Sequence, residues 1–494
     1  MNILFVYPEF PDTFWSFKHA LKFVQKKASS PPLGLATVAA MLPAEWDKRL
    51  VDMNTSPLSQ KDLEWADMVW ISAMVVQRVS TFEVIERCVQ NQKTIVAGGP
   101  LFTAEVDQFS MVDHLILNEA ELTLPPFLAD LAAGTPKRVY TSQEFANIHE
   151  TPVPMWNLVN MRNYDSMSIQ FTRGCPFNCE FCNVTTLLGH QVRTKTSAQI
   201  LAELDLIYSL GWRRNIFFVD DNFIGNRKMI KEEILPALID WRRGKTGCRF
   251  ITEASINLAD DEELMDLMVR AGFVSVFIGI ETPDEGSLTE CHKMQNKNRN
   301  LVESVHRLQR KGIQVMGGFI VGFDNDSPTI FQRQIEFIQN SGIITAMVGL
   351  LQAPNGTRLY QRMKKEGRLR EEMTGDNTDG SSNIVPVMDD QLLQKGYRSI
   401  LATIYSPNMF YQRIRTFLRE YSLPEVEIPM ELTEIYAFLR SIILLGIFGQ
   451  ERGEYWRLFF WTIFHHPRKL PLAITFSIYG YHFRRVSELQ GLSV

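Results

Sequence analysis

Three cysteines fall within eight residues: Cys175, Cys179 and Cys182, spaced C-x3-C-x2-C in the run Thr172-Arg173-Gly174-Cys175-Pro176-Phe177-Asn178-Cys179-Glu180-Phe181-Cys182. Thiolates are soft ligands suited to an iron–sulfur cluster or to zinc. A fully ligated [4Fe–4S] cluster takes four cysteines, and no fourth lies near this loop. One iron would stay open to an outside ligand, the arrangement that chelates the amino and carboxylate groups of S-adenosylmethionine (SAM). The competing reading is a structural Cys3His zinc site with His190 as fourth ligand. Structural zinc loops, however, usually pair two short ligand clusters. The other cysteines, Cys88, Cys248 and Cys291, are scattered, which is not the pattern of a secreted disulfide framework.

The elements that must position this loop read as follows. The chain has 494 residues, 45% hydrophobic, enough for two to four cored domains. Its formal charge of −5 argues against nucleic acid as a partner. The start, MNILFVYPEFP, lacks a signal peptide's basic segment and cleavage site, and no apolar run is long enough to span a bilayer, so a cytoplasmic protein is expected. Residues 1–135 alternate strand-like runs (2–7, 68–72, 94–97) with helical patterns (32–41, 82–90), the signature of a parallel doubly wound sheet. No GxGxxG follows the first strand. A proline-rich connector, residues 136–165, leads to a second α/β series over residues 166–385. Its six strand-like runs (167–171, 215–219, 249–254, 274–280, 315–321, 346–350) predict a partial TIM-like barrel with functional groups past the strands' C-terminal ends. Residues 386–494 read as helical.

With this loop and these strands the chain resembles the radical SAM superfamily. The resemblance implies that electron transfer from the cluster breaks a carbon–sulfur bond of SAM and releases a 5′-deoxyadenosyl radical, with a flavodoxin or ferredoxin as electron donor. It puts Phe181 over the adenine. It also assigns SAM contacts to Asp220 and Asp221 after the second strand, Glu253 after the third and Glu281 in Gly279-Ile280-Glu281-Thr282-Pro283, and to Gly318 and Gly322 on the fifth. Strand-end carboxylates can accept hydrogen bonds from an ammonium or ribose hydroxyls, and glycines let backbone approach a ring closely. Asp220 or Asp221 could instead cap a helix, and Glu281 is costly behind an apolar strand unless paired. Cys291 could donate a hydrogen atom in radical chemistry, although isolated cysteines are commonly structural.

The first domain resembles a flavodoxin-like cobalamin-binding domain, and the whole chain resembles the cobalamin-dependent radical SAM family with the C-terminal extension of hopanoid C-2 methylase-like members. The fold class expected is thus α/β, with a flavodoxin-like cobalamin-binding domain, a partial (β/α)6 barrel and a helical C-terminal domain. Ser72, Gly98, Gly99 and Pro100 are the carried-over cobalamin positions, and Glu119 and Glu121 match the family's short acidic turn. The D-x-H-x-x-G loop is absent: Asp113-His114 has no following glycine, so no protein histidine is expected below cobalt. The implied activity is methyl transfer to an unactivated carbon of a small apolar, lipid- or terpenoid-like substrate. The alternatives are a radical SAM cyclase or oxidase without methyl transfer, and a non-catalytic cobalamin-linked sensor. In the C-terminal region the short apolar runs 441–449 and 470–483, with Arg468, Lys469, Arg484, Arg485 and several aromatics, fit either peripheral contact with the inner membrane surface or a lid on the barrel.

Overall fold

A buried strand that touches helices on both faces needs apolar side chains throughout, and Ile3–Val6 is such a run. In the computed structural model, which describes residues 1–370, 373–424 and 432–491, it belongs to β1 (Asn2–Tyr7). The others of its sheet are β2 (Asp47–Asp52), β3 (Met68–Ser72), β4 (Thr94–Gly98), β5 (His114–Ile116) and β6 (Val139–Tyr140). All pair in parallel in the order β2-β1-β3-β4-β5-β6, a flavodoxin-type winding whose direction reverses between β1 and β3. The sequence reading found β1, β3 and β4 and missed β2, β5 and β6. The reason for β2 is physical: it is an edge strand, and its Asp47-Lys48-Arg49 start is polar and largely open to water.

The second sheet contains β7 (Ser166–Ile169), β10 (Asn215–Phe218), β11 (Arg249–Glu253), β12 (Phe273–Glu281), β13 (Gln314–Val321) and β14 (Ala346–Leu350), with β8 (Thr172–Arg173) and β9 (Arg193–Thr194) forming a small antiparallel ribbon at the cysteine loop. Its order, β14-β13-β12-β11-β10-β7, is the chain order, and every pairing is parallel. This is the six-stranded partial barrel. Its helices begin where the local sequence supplies caps. Thr196 and Gln199 form a reciprocal capping box on Ser197–Ser209, and Asp261 caps Glu262–Ala271.

An open barrel leaves two unpaired edges, and both are covered. Residues Ala28 and Ser29 run beside β7, where Ser166 N donates to Ser29 O at 2.8 Å. On β14, the Tyr405 hydroxyl donates to Ala346 O at 2.6 Å. Phe14 stacks on Phe483 of the last helix, with ring centroids 4.4 Å apart. Beside it Trp15 reaches into the barrel, edge-on to Phe277 at 5.3 Å and donating Nε1 to Met347 Sδ at 2.9 Å.

That last helix, Leu470–Leu489, packs as a lid. Of the four cations read as a membrane anchor, two turn inward. Arg484 pairs with buried Glu451, and Lys469 Nζ donates to the carbonyls of Leu418 (2.6 Å) and Tyr421 (2.5 Å). Among the described residues no helix is long and apolar enough to cross a membrane.

The carboxyl edges of the two sheets face one another. Arg173 on β8 donates to Glu119 (2.7 Å) and Glu121 (2.8 Å), and Arg193 on β9 donates to Glu119 (2.9 Å). Asn355 reaches Ala104 O, and Arg78 reaches Met373 O. Removing one partner of a buried ion pair leaves an uncompensated charge. Glu119→Ala should therefore lower stability by about 3 kcal/mol or more, read as a lower denaturant midpoint. A midpoint equal to that of the exposed control Glu144→Ala would show that the network contributes nothing.

Candidate functional site

The cysteine loop is shaped first by its own backbone. Gly174 adopts φ +90°, and a Cβ there would lie 2.5 Å from Gln191 O, so no other residue fits between the two arms of the ribbon. Cys175 N bonds Gly189 O and Cys182 N bonds Cys179 O. On the far side, Glu180 takes a bidentate pair from Arg362 (2.9 and 3.0 Å), which also holds Asp324. Arginines thus grip the loop at both flanks, Arg173 before Cys175 and Arg362 at Glu180.

Burial pushes the thiols of Cys175 and Cys182 up, the latter to about 12. Such thiols stay protonated until a metal displaces the proton. Two donors face them: Gln295 Nε2 lies 3.8 Å from Cys179 Sγ, and the charge of Lys293 acts on both Cys179 and Cys182. A soft, half-buried three-thiol set with nearby positive charge fits a [4Fe–4S] cluster. Among the described residues no three His, Cys, Asp or Glu side chains converge to hold one ion, as a Cys3His190 zinc site would need. A cubane bonds each thiolate to a different iron and needs no such convergence. His190 instead lines an open cavity of about 500 Å³ beside the loop, with Pro176, Asn222, Arg227 and Asn257.

Carboxylates collect at the barrel mouth. Asp221 is open to the mouth but walled by protein, and that loss of bulk water lifts its carboxyl to about 6. Glu253, enclosed at the end of β11, is pushed up to about 8, by desolvation first and then by the charges of Asp221 and Asp220. Glu281 sits at φ +63°, an uncommon conformation for a non-glycine. Its carboxylate folds back onto Lys293 Nζ at 2.7 Å, and a Cβ at Gly279 would collide with both groups.

Asp220 is a correction. It is fully buried and its carboxylate accepts the backbone N–H groups of Phe171 and Thr172, tying β10 to the start of the cysteine loop. Burial raises it to about 7. It neither faces the mouth nor caps a helix. Cys291 is a second correction. It is buried among Phe323, Leu351 and Leu359, its thiol bonds Leu288 O, and burial raises it far above the ordinary thiol range. A hydrogen-atom donor must reach the mouth, and this group does not. Phe181 lies half-buried at the loop, 6.4 Å from the Phe323 ring and 6.0 Å from Lys293 Nζ. The two glycines of β13 and its end have packing reasons: Phe277 fills the space at Gly318 and Leu393 that at Gly322.

Across the gap, Ser72, Gly98, Gly99 and Pro100 share the carboxyl edge of the first sheet, close to its reversal point. Gly99 has φ +94°, and a Cβ there would lie 2.6 Å from Ser72 Oγ. These small groups leave accessible backbone, which fits a flat corrin. His114 opens β5, at the amino end of its strand, with Nδ1 2.8 Å from Lys137 O and its ring against Phe127. It lies at the wrong edge to meet cobalt.

Lys293, Gln295, Arg173, Arg193 and Arg362 were not singled out from the sequence. Only Arg173 carried a signal there, as the residue two places before the first cysteine; the partners of the rest are distant in the chain.

Comparison with known proteins gives a consistent picture. Residues 169–338 match the radical SAM superfamily, and residues 357–491 match a domain of unknown function, DUF4070. An uncharacterized methyltransferase of Synechocystis sp. is 39% identical over 99% of this chain and 92% of its own length. Hopanoid C-2 methylase of Rhodopseudomonas palustris is 34% identical over 92% of this chain and 88% of its own. Among solved structures, the cobalamin-dependent S-adenosylmethionine radical enzyme OxsB, with aqua-cobalamin and S-adenosylmethionine bound, shares the fold. It matches at a TM-score of 0.64 and 15% identity, over 100% of this chain and 84% of its own.

The raised carboxyls of Asp221 and Glu253 at the mouth, and of the buried Asp220, make stability depend on pH. Folding favours their protonated forms, so their contribution is fully present below the unfolded carboxylate range and is lost as pH rises through about 6 to 8. The apoprotein's melting temperature should fall from the unfolded carboxylate range, about pH 4, to about pH 8, where Glu253 finishes titrating. Glu253→Gln should flatten the fall above pH 7, and an unchanged slope would remove Glu253 from the account. Cys291→Ser should leave SAM cleavage within about twofold of wild type; loss of cleavage in a folded protein would restore Cys291 to the chemistry.

Proposed function

The chain belongs to the cobalamin-dependent radical SAM methyltransferase family that includes hopanoid C-2 methylase, and on that premise we propose that it replaces a hydrogen on an unactivated carbon of an apolar, lipid- or terpenoid-like substrate with a methyl group. The observation that carries this reading is the placement of two sites face to face. The cysteine loop with its acids stands at one carboxyl edge, the Ser72/Gly98–Pro100 edge stands opposite, and Glu119, Glu121, Arg173 and Arg193 join them.

In this reading Cys175, Cys179 and Cys182 would hold the [4Fe–4S] cluster, and Ser72 with Gly98–Pro100 would hold cobalamin. When bound, these groups supply one-electron cleavage of SAM and a transferable methyl group. The protein's part is positioning. Asp221 and Glu253 would face the SAM ammonium and ribose and Phe181 would pack on the adenine, while Lys293, held by Glu281, places a positive charge beside the thiols. A low-potential donor such as a flavodoxin or ferredoxin supplies electrons.

The barrel wall below the acids supports an apolar substrate. Phe217, Ile251, Phe277, Met316 and Met347 are each half-buried, alternating with fully buried neighbours along β10–β14. They therefore share the inner face. Trp15 overhangs them. We place the enzyme in the cytoplasm, in peripheral contact with the membrane that would contain such a substrate.

Anaerobically reconstituted protein should be brown and carry about four irons per chain. Cys179→Ala should lose the visible cluster absorbance and all SAM cleavage, and retained cleavage would remove the cluster assignment. Mass spectrometry of lipid extracts from cells with and without the gene should show a product one CH2 heavier. Dehydrogenated or cyclised products without the added carbon would favour an oxidase or cyclase. Electron paramagnetic resonance of the cob(II)alamin form should show no nitrogen splitting from the protein; such splitting would refute the open lower face.

A further inference from the structure

Exposed apolar side chains cluster in one region of this molecule. Of twenty-three large hydrophobic residues exposed among the described ones, nine lie between Ile435 and Phe464. Leu439, Ile443 and Ile447 recur along the helix Leu432–Ser441 and its π-helical continuation Ile442–Ile447. Phe448, 77% exposed, stands at the turn. Phe460 and Phe464, the latter 79% exposed, lie on the returning helix Arg452–His465. The inner faces of this hairpin are occupied: Trp456 Nε1 donates to Gly446 O at 2.9 Å, and the Phe438 and Phe459 rings stack. The outer stripe is bare, and a patch of this kind marks a docking surface.

The charges around it indicate what docks. Three acids lie on the described hairpin: Glu451 pairs with Arg484, Glu454 with Arg457 and Arg415, and Glu434, in the first turn, has a partner as well. Arg452 and Arg468, at the two ends of the returning helix, are exposed and form no ion pair among the described residues. An apolar stripe with unneutralised cations at its ends and no unpaired acid complements an anionic lipid surface. Neither helix is long and apolar enough to cross a bilayer.

We propose that this hairpin seats its apolar stripe at the headgroup–acyl boundary of an anionic phospholipid leaflet, and that the contact lies here rather than on the last helix, whose Arg484 turns inward, as does Lys469 just before it. The assignment rests on the peripheral-contact reading above and locates it.

The test is flotation of the full chain with vesicles of phosphatidylcholine alone or mixed with phosphatidylglycerol. The wild type should float with the mixed vesicles. The double variant Phe448→Ser/Phe464→Ser should bind them at least about tenfold more weakly while keeping its circular dichroism and melting temperature, since both rings are exposed. Arg452→Gln/Arg468→Gln should weaken binding at low salt and reduce its salt dependence. A wild type that binds neither vesicle would overturn both this assignment and the peripheral-contact reading. A double variant that floats like the wild type would overturn the assignment alone. A lipid-free wild-type dimer that the double variant converts to monomer would overturn it in favour of a second copy of the chain.

Discussion

A loop built to present three thiols has no apolar core of its own, so something else must hold it. Here two arginines do. Arg173 ties its entry to Glu119 and Glu121 of the first sheet's connections, and Arg362 ties Glu180 to Asp324 beyond β13. Desolvating such groups offsets much of their attraction, so the pairs contribute little net stability compared with apolar packing of the same volume. What they contribute is geometry, because planar guanidinium forks bond carboxylates in few orientations. The rest of the site depends on that geometry. The same Glu119 that steadies the cysteine loop also takes Arg193 from the other arm of the ribbon, so the loop cannot shift without disturbing the first sheet.

The acids at the mouth follow a different logic. Asp221 and Glu253, like the fully buried Asp220 away from the mouth, are carboxyls pushed toward neutrality because protein replaces the water that would solvate their charge. Without ligand they are a source of instability, and a bound cationic group would relieve it. Glu281, in a conformation that side chains rarely take, is held there by Lys293 and by the absence of a side chain at Gly279. Strain of this kind persists where the surroundings over-determine a residue, and it concentrates at functional sites.

Closure comes from chain segments distant in sequence. The β7 edge is covered by Ala28 and Ser29, and the β14 side by Phe14, Trp15, Tyr405 and Phe483. The first twenty-nine residues thus serve both sheets, and the last helix completes the wall. This leaves the hairpin before it free to carry an outward apolar face.

The cysteine spacing, the apolar strand runs and the strand-end acids and glycines were legible because each is a local pattern: a ligand count, a buried run, a turn. They sufficed for the two-sheet α/β architecture. Edge strands such as β2 were not legible, because an edge faces water and its polar residues look like loop. Nor were the roles of individual side chains. Asp220 and Asp221 are adjacent, yet one is buried against backbone N–H groups and the other opens to the mouth. Cys291 stands two residues from Lys293, yet its thiol is buried against Phe323, Leu351 and Leu359 while the lysine's charge acts on the cysteine thiols. Arg484 and Arg468 read alike as surface cations until packing turned one against Glu451. Which way a side chain faces is set by what folds against it, often hundreds of residues away in the chain, and only the tertiary structure decides that.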